Sequence, residues 1–192
     1  MNRARILSLC ECAVLLALSV VLSLIIIYKL PMGGEVTLIS MLPVLVAGIK
    51  HGVRRGLGVA FTFSLIQLFM GIAGGGVFPR CTTWQAVAVC VIFDYLLPFT
   101  VLGLGGIMKM RDGTVGRLRI SVVISALLAI RFICHFITGL VIWGQWVPEG
   151  MGKVAYSLIY NSQYMIPELL LTLIAANVIL SVPQMKRFLV RQ

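Results

Sequence analysis

An all-α integral membrane protein with six transmembrane helices is the fold class that three features of this 192-residue chain predict. Hydrophobic residues make up 60% of it and charged residues 11%, with a mean hydropathy of +1.05, well above the roughly 45–50% apolar content of soluble domains. The apolar residues gather in runs of about 20, the length that crosses about 30 Å of hydrocarbon as a helix. Basic residues collect in alternate connections between those runs.

Taken in order, the first span covers about residues 8–27. Its basic start and apolar run look like a leader, but the run is too long and lacks a small-x-small cleavage site, so it reads as a retained helix. Within it Ala13 and Ala17 stand four apart, a spacing that lets another helix approach closely, either inside the bundle or as a docking face. The second span, 38–49, is too short to cross alone. The segment before it, Lys29 to Thr37 with Pro31, Gly33 and Gly34, is predicted to dip into the membrane as a lid, because irregular backbone at that depth must be covered by protein or line a cavity. The third span, 56–73, leads into a glycine-rich connection with Gly74, Gly75, Gly76 and Pro79. The fourth, 85–107, carries Asp94; the fifth, 120–143, carries Arg131 and His135. A connection holding Trp146, Pro148 and Glu149 then precedes the sixth, 157–181. No internal repeat suggests paired broken helices, and residues 1–192 read as one membrane domain.

The formal charge of +10 does not imply a nucleic-acid partner. With both termini in the cytoplasm, twelve basic residues fall inside: Arg3 and Arg5; Lys50, Arg54 and Arg55; Lys109, Arg111, Arg117 and Arg119; and Lys186, Arg187 and Arg191. Three (Lys29, Arg80, Lys153) fall outside. The positive-inside rule therefore places both ends in the cytoplasm of a multi-pass protein of the cell membrane, where the basic loops meet anionic lipid. The five cysteines, Cys10, Cys12, Cys81, Cys90 and Cys134, show no metal-ligand spacing, and no metal or cofactor is expected.

Ionisable groups inside spans are costly and point to function. Arg131, His135, Gly139 and Trp143 recur at intervals of four and so share one helix face. Gly139, between an imidazole and an indole, is expected to leave room for a flat ligand. Asp94 and His135 each lie roughly ten residues from the outer end of their spans, about 15 Å deep, so they can meet. With Trp84, Trp143, Tyr156 and Asn161 nearer the surface, they describe a cup with aromatic walls and a carboxylate floor, suited to a small aromatic cation. The competing reading places Trp84, Trp143 and Tyr156 in an interfacial aromatic belt. Arg131 and Glu168, deeper still, are expected to form a structural ion pair. Nothing resembles HExxH, GxSxG or a P-loop, and only His135 of the two histidines is buried by this reading, so an enzyme is not expected.

Four blocks in fixed order carry a family resemblance: LPMGGEVTLISMLPVLVAGIKHG (Leu30 to Gly52), FDYLLPF (Phe93 to Phe99), HFITGLVIWGQWVPEGM (His135 to Met151) and YSLIYNSQYMIPE (Tyr156 to Glu168). The chain resembles the thiamine-specific substrate-binding (S) components of energy-coupling factor (ECF) transporters. That resemblance implies a six-helix bundle and a high-affinity thiamine site near the outer surface. It maps substrate-binding positions onto Trp84, Asp94, Tyr95, His135, Trp143, Tyr156 and Asn161, beside Gly139 from the helix face above, and a partner-docking motif onto Ala13 and Ala17. It implies a transmembrane coupling protein and two ATPases as partners. Some members of the family place glutamate at the Asp94 position and a tryptophan in the first outer loop, where this chain has Gly33 and Gly34. The alternatives are an S component for another vitamin or for a precursor such as a hydroxymethylpyrimidine and, more distantly, an intramembrane enzyme.

Overall fold

The computed structural model describes residues 3–31, 33–75, 81–108 and 116–190. Gly76, Pro79, Arg80, Lys109, Arg111 and Arg191, used above, lie outside the described residues. The helices are α1 (Arg3–Ser23), α2 (Met41–His51), α3 (Val53–Ala73), α4 (Trp84–Met108), α5 (Arg117–Val141), α6 (Lys153–Ile179) and α7 (Pro183–Val190). Among the described residues five helices (α1, α3, α4, α5 and α6) are long and apolar enough to cross a membrane. The second of the six expected helices, α2, has 11 residues, about 16 Å of helix, half the hydrocarbon thickness, and is too short to cross alone, as its length in the sequence predicted.

The expectation of an all-helical chain also needs an addition. Ile26–Lys29 (β1) and Glu35–Thr37 (β2) pair antiparallel, with Lys29 opposite Glu35. The first connection is thus a hairpin, and α1 ends four residues earlier than the hydropathy run suggested, because Ile26 and Ile27 belong to β1. β-Branched residues suit a strand, and the paired backbone satisfies its own polar groups.

α2 is apolar on every side, and residues Met41 to Lys50 are all buried, as expected of a helix enclosed by others. Its Leu45 joins Phe63, Leu102, Ile124 and Leu128 in the main core, with Phe63 edge-on to Phe99 at 5.4 Å. Lipid tails are as apolar as leucine, so close backbone packing, not water exclusion, holds such helices together. Gly48, Gly56, Gly103 and Gly106 provide it. A Cβ on Gly56 would stand 2.5 Å from the Gly103 carbonyl oxygen, and one on Gly106 would stand 2.2 Å from the Val53 nitrogen. Gly52, at φ 85°, makes the sharp turn from α2 into α3 that this contact requires.

At the end of the bundle remote from the hairpin, Glu11 of α1 receives Lys50 Nζ at 2.9 Å and His51 Nε2 at 3.2 Å. Lys50 also sits 3.3 Å from the Phe188 ring centroid of α7. Those contacts close the remote end, whereas the hairpin end is open.

Candidate binding site

The site begins with a flaw in α4. Residues Val91–Leu96 form a π-helical turn, in which the Leu97 amide bonds to the Ile92 carbonyl five residues back. The cause is Pro98. Proline has no amide hydrogen to donate, and its ring crowds the carbonyl four residues earlier, which belongs to Asp94. Widening the turn relieves that clash, and single π turns of this kind are frequent at functional sites. Asp94 and Tyr95 sit on the widened turn.

The Asp94 carboxylate is surrounded by donors. Oδ1 accepts from the Thr138 hydroxyl and from His135 Nδ1, the latter at 3.0 Å; Oδ2 faces Trp143 Nε1 at 3.4 Å and the Cys90 thiol at 3.5 Å. Arg131 Nε donates to His135 Nε2 at 3.4 Å. That nitrogen therefore accepts, the imidazole is neutral, and its proton sits on Nδ1, facing the carboxylate. Asp94 and His135 thus meet, as counting residues along two spans predicted.

α6 supplies a wall of rings. Tyr156 stacks on Tyr160 at 5.8 Å and 29°, and Tyr160 meets Tyr164 edge-on at 6.2 Å. Their spacing of four puts all three on one face. The Tyr164 hydroxyl donates to Asn161 Oδ1 at 2.7 Å, and Asn161 Nδ2 reaches the Ser157 carbonyl at 2.8 Å and the His135 carbonyl at 3.3 Å. Asn161 therefore ties α6 to α5 as well as lining the cavity.

Gly139 does something other than expected. A Cβ there would lie 2.1 Å from Ser157 Oγ, so the space beside it is filled by α6 and not held for a flat ligand. Its lack of a side chain lets α5 and α6 approach while it still lines the cavity. Gly71 plays a similar part for Tyr95, whose hydroxyl oxygen would stand 2.2 Å from an added Cβ.

These groups surround a cavity of about 400 Å³, within the range of small-molecule sites. Asp94, Tyr95, His135, Gly139, Trp143, Tyr156 and Asn161 all line it. Trp84 does not: it is 76% exposed at the start of α4, on the outer surface of the bundle, which suits the aromatic-belt reading. Tyr160, Tyr164, Ser157 and Thr138 line the cavity and were not singled out from sequence; the four-residue recurrence of tyrosine from Tyr156 was the available signal. Gly33, Gly34, Glu35 and Thr37 of the first connection border the same space, where a lid was expected.

Arg131 and Glu168 do not form the expected ion pair. Arg131 Nη1 points to Met41 Sδ at 2.8 Å and its guanidinium lies 4.2 Å from the Phe99 ring centroid. Glu168 is instead engaged by Thr37. Both line the cavity floor. Two basic side chains (Lys29, Arg131) and three acidic ones (Glu35, Asp94, Glu168) border the space. A carboxylate among ring faces suits a cation.

A family model described as "Thiamine transporter protein (Thia_YuaJ)" matches residues 9–188. The chain belongs to this thiamine transporter family. Among its relatives, "Thiamine transporter ThiT" of Bacillus subtilis (strain 168) is 26% identical over 182 residues, covering 89% of each chain. The protein of the same description from Lacticaseibacillus paracasei is 26% identical over 156 residues, 76% of this chain and 74% of its own. A solved structure of ThiT from Listeria monocytogenes superposes with a TM-score of 0.73 at 19% identity, covering 96% of this chain and 99% of that one, and shares the fold. As a member of the thiamine transporter family the chain is a multi-pass membrane transport protein and not an enzyme.

Proposed function

We propose that the cavity captures thiamine at the outer face of the cell membrane and that the whole chain, acting as one membrane domain, serves as the substrate-binding component of an ATP-driven ECF importer. The observation that carries this reading is Asp94 in its shell of four donors, beneath aromatic walls. A thiazolium is a planar monocation. Asp94 neutralises it, and in a low dielectric such a charge is worth far more than in water; ring faces on Trp143 and the α6 tyrosines hold it by cation–π attraction. Tyr95 and the remaining lone pair of Asn161 Oδ1 offer polar partners to the aminopyrimidine.

Both termini face the cytoplasm in this reading, which agrees with the basic residues of the inner connections. Ala13 and Ala17 are exposed on α1, so their small-residue face is free to meet the transmembrane coupling protein, which works with two ATPases. The test is equilibrium binding of labelled thiamine to the purified protein, with riboflavin, biotin and a hydroxymethylpyrimidine as competitors. Displacement by unlabelled thiamine alone supports the reading; stronger displacement by the pyrimidine would assign the site to a precursor.

A further inference from the structure

The cavity floor holds a carboxylate that the thiamine reading does not use. Glu168 is 2% exposed. Its Oε1 accepts from the Thr37 amide at 2.6 Å and from the Thr37 hydroxyl at 2.8 Å, while Oε2 is buried with no hydrogen-bond partner among the described residues. Burying a carboxylate at this depth is costly, and an apolar residue would serve if α6 needed only to pack. Thr37 ends β2, and its hydroxyl also meets Ser40 Oγ at 2.7 Å, just before α2.

Between those two residues lies Ile39, at φ 50°. A β-branched side chain in the left-handed region is a genuine outlier, and such strain persists only when its surroundings over-determine it. Here both flanks are gripped. Glu168 holds Thr37 from α6, and Arg131 holds Met41 from α5. Arg131 is also bonded to His135, which faces Asp94. The strands themselves rest on α6, where Leu30 and Val36 pack with Tyr164 and Met165.

From this geometry we infer that Glu168 is a positioning residue: it anchors β1 and β2 over the cavity, with Ile39 as the strained joint, and so sets how long the ligand stays. Apolar contacts at Leu30 and Val36 can slide. The two bonds from Thr37 to one buried oxygen fix register. Loss of the anchor should release the strands without altering the Asp94 shell, so dissociation quickens and association does not.

The residence-time part of this inference rests on the thiamine reading, but the anchoring part does not. Hydrogen exchange of the ligand-free, detergent-purified full chain is measured for wild type, Glu168→Ala, Glu168→Gln and Thr37→Val. Amides of Ile26–Lys29 and Glu35–Thr37 should exchange about tenfold faster in Glu168→Ala, with α3 and α5 unchanged. Glu168→Gln, which keeps a carbonyl acceptor, should fall between, and Thr37→Val should move the same way but less. Stopped-flow thiamine release should quicken about tenfold in Glu168→Ala, with association within about twofold of wild type. Wild-type strand exchange in Glu168→Ala overturns the anchor. If that variant does not fold, wild-type exchange in both Glu168→Gln and Thr37→Val overturns it instead. Faster release in the Glu168 variants with unchanged exchange and release in Thr37→Val would mean that Glu168 touches the ligand directly, which also contradicts the inference. Loosened strands in Glu168→Ala, with no thiamine binding by the wild type, would uphold the anchor and sink the thiamine reading.

Discussion

At the end of the bundle remote from the hairpin, glycine meets backbone: Gly56 lies against Gly103 and Gly106 against Val53, and three chain segments close with no space between them. At the hairpin end glycine meets side chains. Gly71 seats Tyr95, Gly34 seats Tyr164 and Gly139 seats Ser157. The same residue type thus closes one end and furnishes the other. Backbone against backbone leaves no cavity, whereas a glycine facing a ring or hydroxyl fixes a bulky group that can stand at the edge of one. The contrast extends to polarity. The remote seam is apolar, while the open end concentrates Asp94, His135, Arg131 and Glu168 around about 400 Å³.

The largest effect that would break this comparison is expected from the closed end. Gly103→Leu must push a side chain into backbone at 2.6 Å, which no rotamer relieves, and should cost more than the 1–3 kcal/mol of ordinary overpacking, or about 4 kcal/mol. Size-exclusion profiles and thermal melts in detergent would show it as a loss of monodisperse protein. A variant that melts like wild type would mean the seam is not what holds the helices. Next in size, Asp94→Asn and His135→Ala should each weaken thiamine binding at least tenfold, about 1.4 kcal/mol, while leaving the melt intact. Calorimetric titration decides this, and wild-type affinity in both would remove the carboxylate and imidazole from the site.

A smaller effect sharpens the role of glycine at the open end. Gly139→Ala places a methyl 2.1 Å from Ser157 Oγ, so α6 must shift and affinity should fall by about threefold, or about 0.6 kcal/mol. Adding Ser157→Gly should restore most of it. If the double variant binds no better than the single, Gly139 acts by some other route than helix approach. The smallest effects are expected on the outer surface. Trp84→Ala should leave affinity within about twofold, 0.4 kcal/mol, because the ring is 76% exposed and outside the cavity. Ala13→Trp should likewise spare binding yet prevent co-purification with the coupling protein, and normal assembly would remove Ala13 and Ala17 from the docking face.

Much of the open end could be read from the chain, for definable reasons. Depth along a span follows from counting residues, and counting placed Asp94 opposite His135, which lie 3.0 Å apart. Spacing by four put Arg131, His135, Gly139 and Trp143 on one face, and all four line the cavity. Counting cannot show how a helix is rotated against its neighbours. Trp84, at a helix start, satisfied the depth rule but faces outward, and Gly139 satisfied the face rule but is closed by Ser157. Nor does hydropathy register polar links between distant segments. Glu168 was matched with Arg131 by depth alone, whereas a backbone amide and hydroxyl at Thr37 compete better for its oxygen. The π turn was latent in the four-residue spacing from Asp94 to Pro98, and the hairpin in the branched residues Ile26 and Ile27, both hidden by an unbroken apolar run. The glycine seam escaped because its contacts join α2, α3 and α4.

The central claim is that Asp94 and the rings around it form the thiamine site, with Trp143 inside and Trp84 outside. Its most direct test is a tryptophan-fluorescence titration with thiamine of the purified wild type, Trp84→Phe and Trp143→Phe, with riboflavin and biotin as controls. The account predicts saturable quenching by thiamine alone at submicromolar concentration, retained in Trp84→Phe and largely lost in Trp143→Phe. Quenching that survives in Trp143→Phe and disappears in Trp84→Phe, or no response from folded wild-type protein, would contradict it.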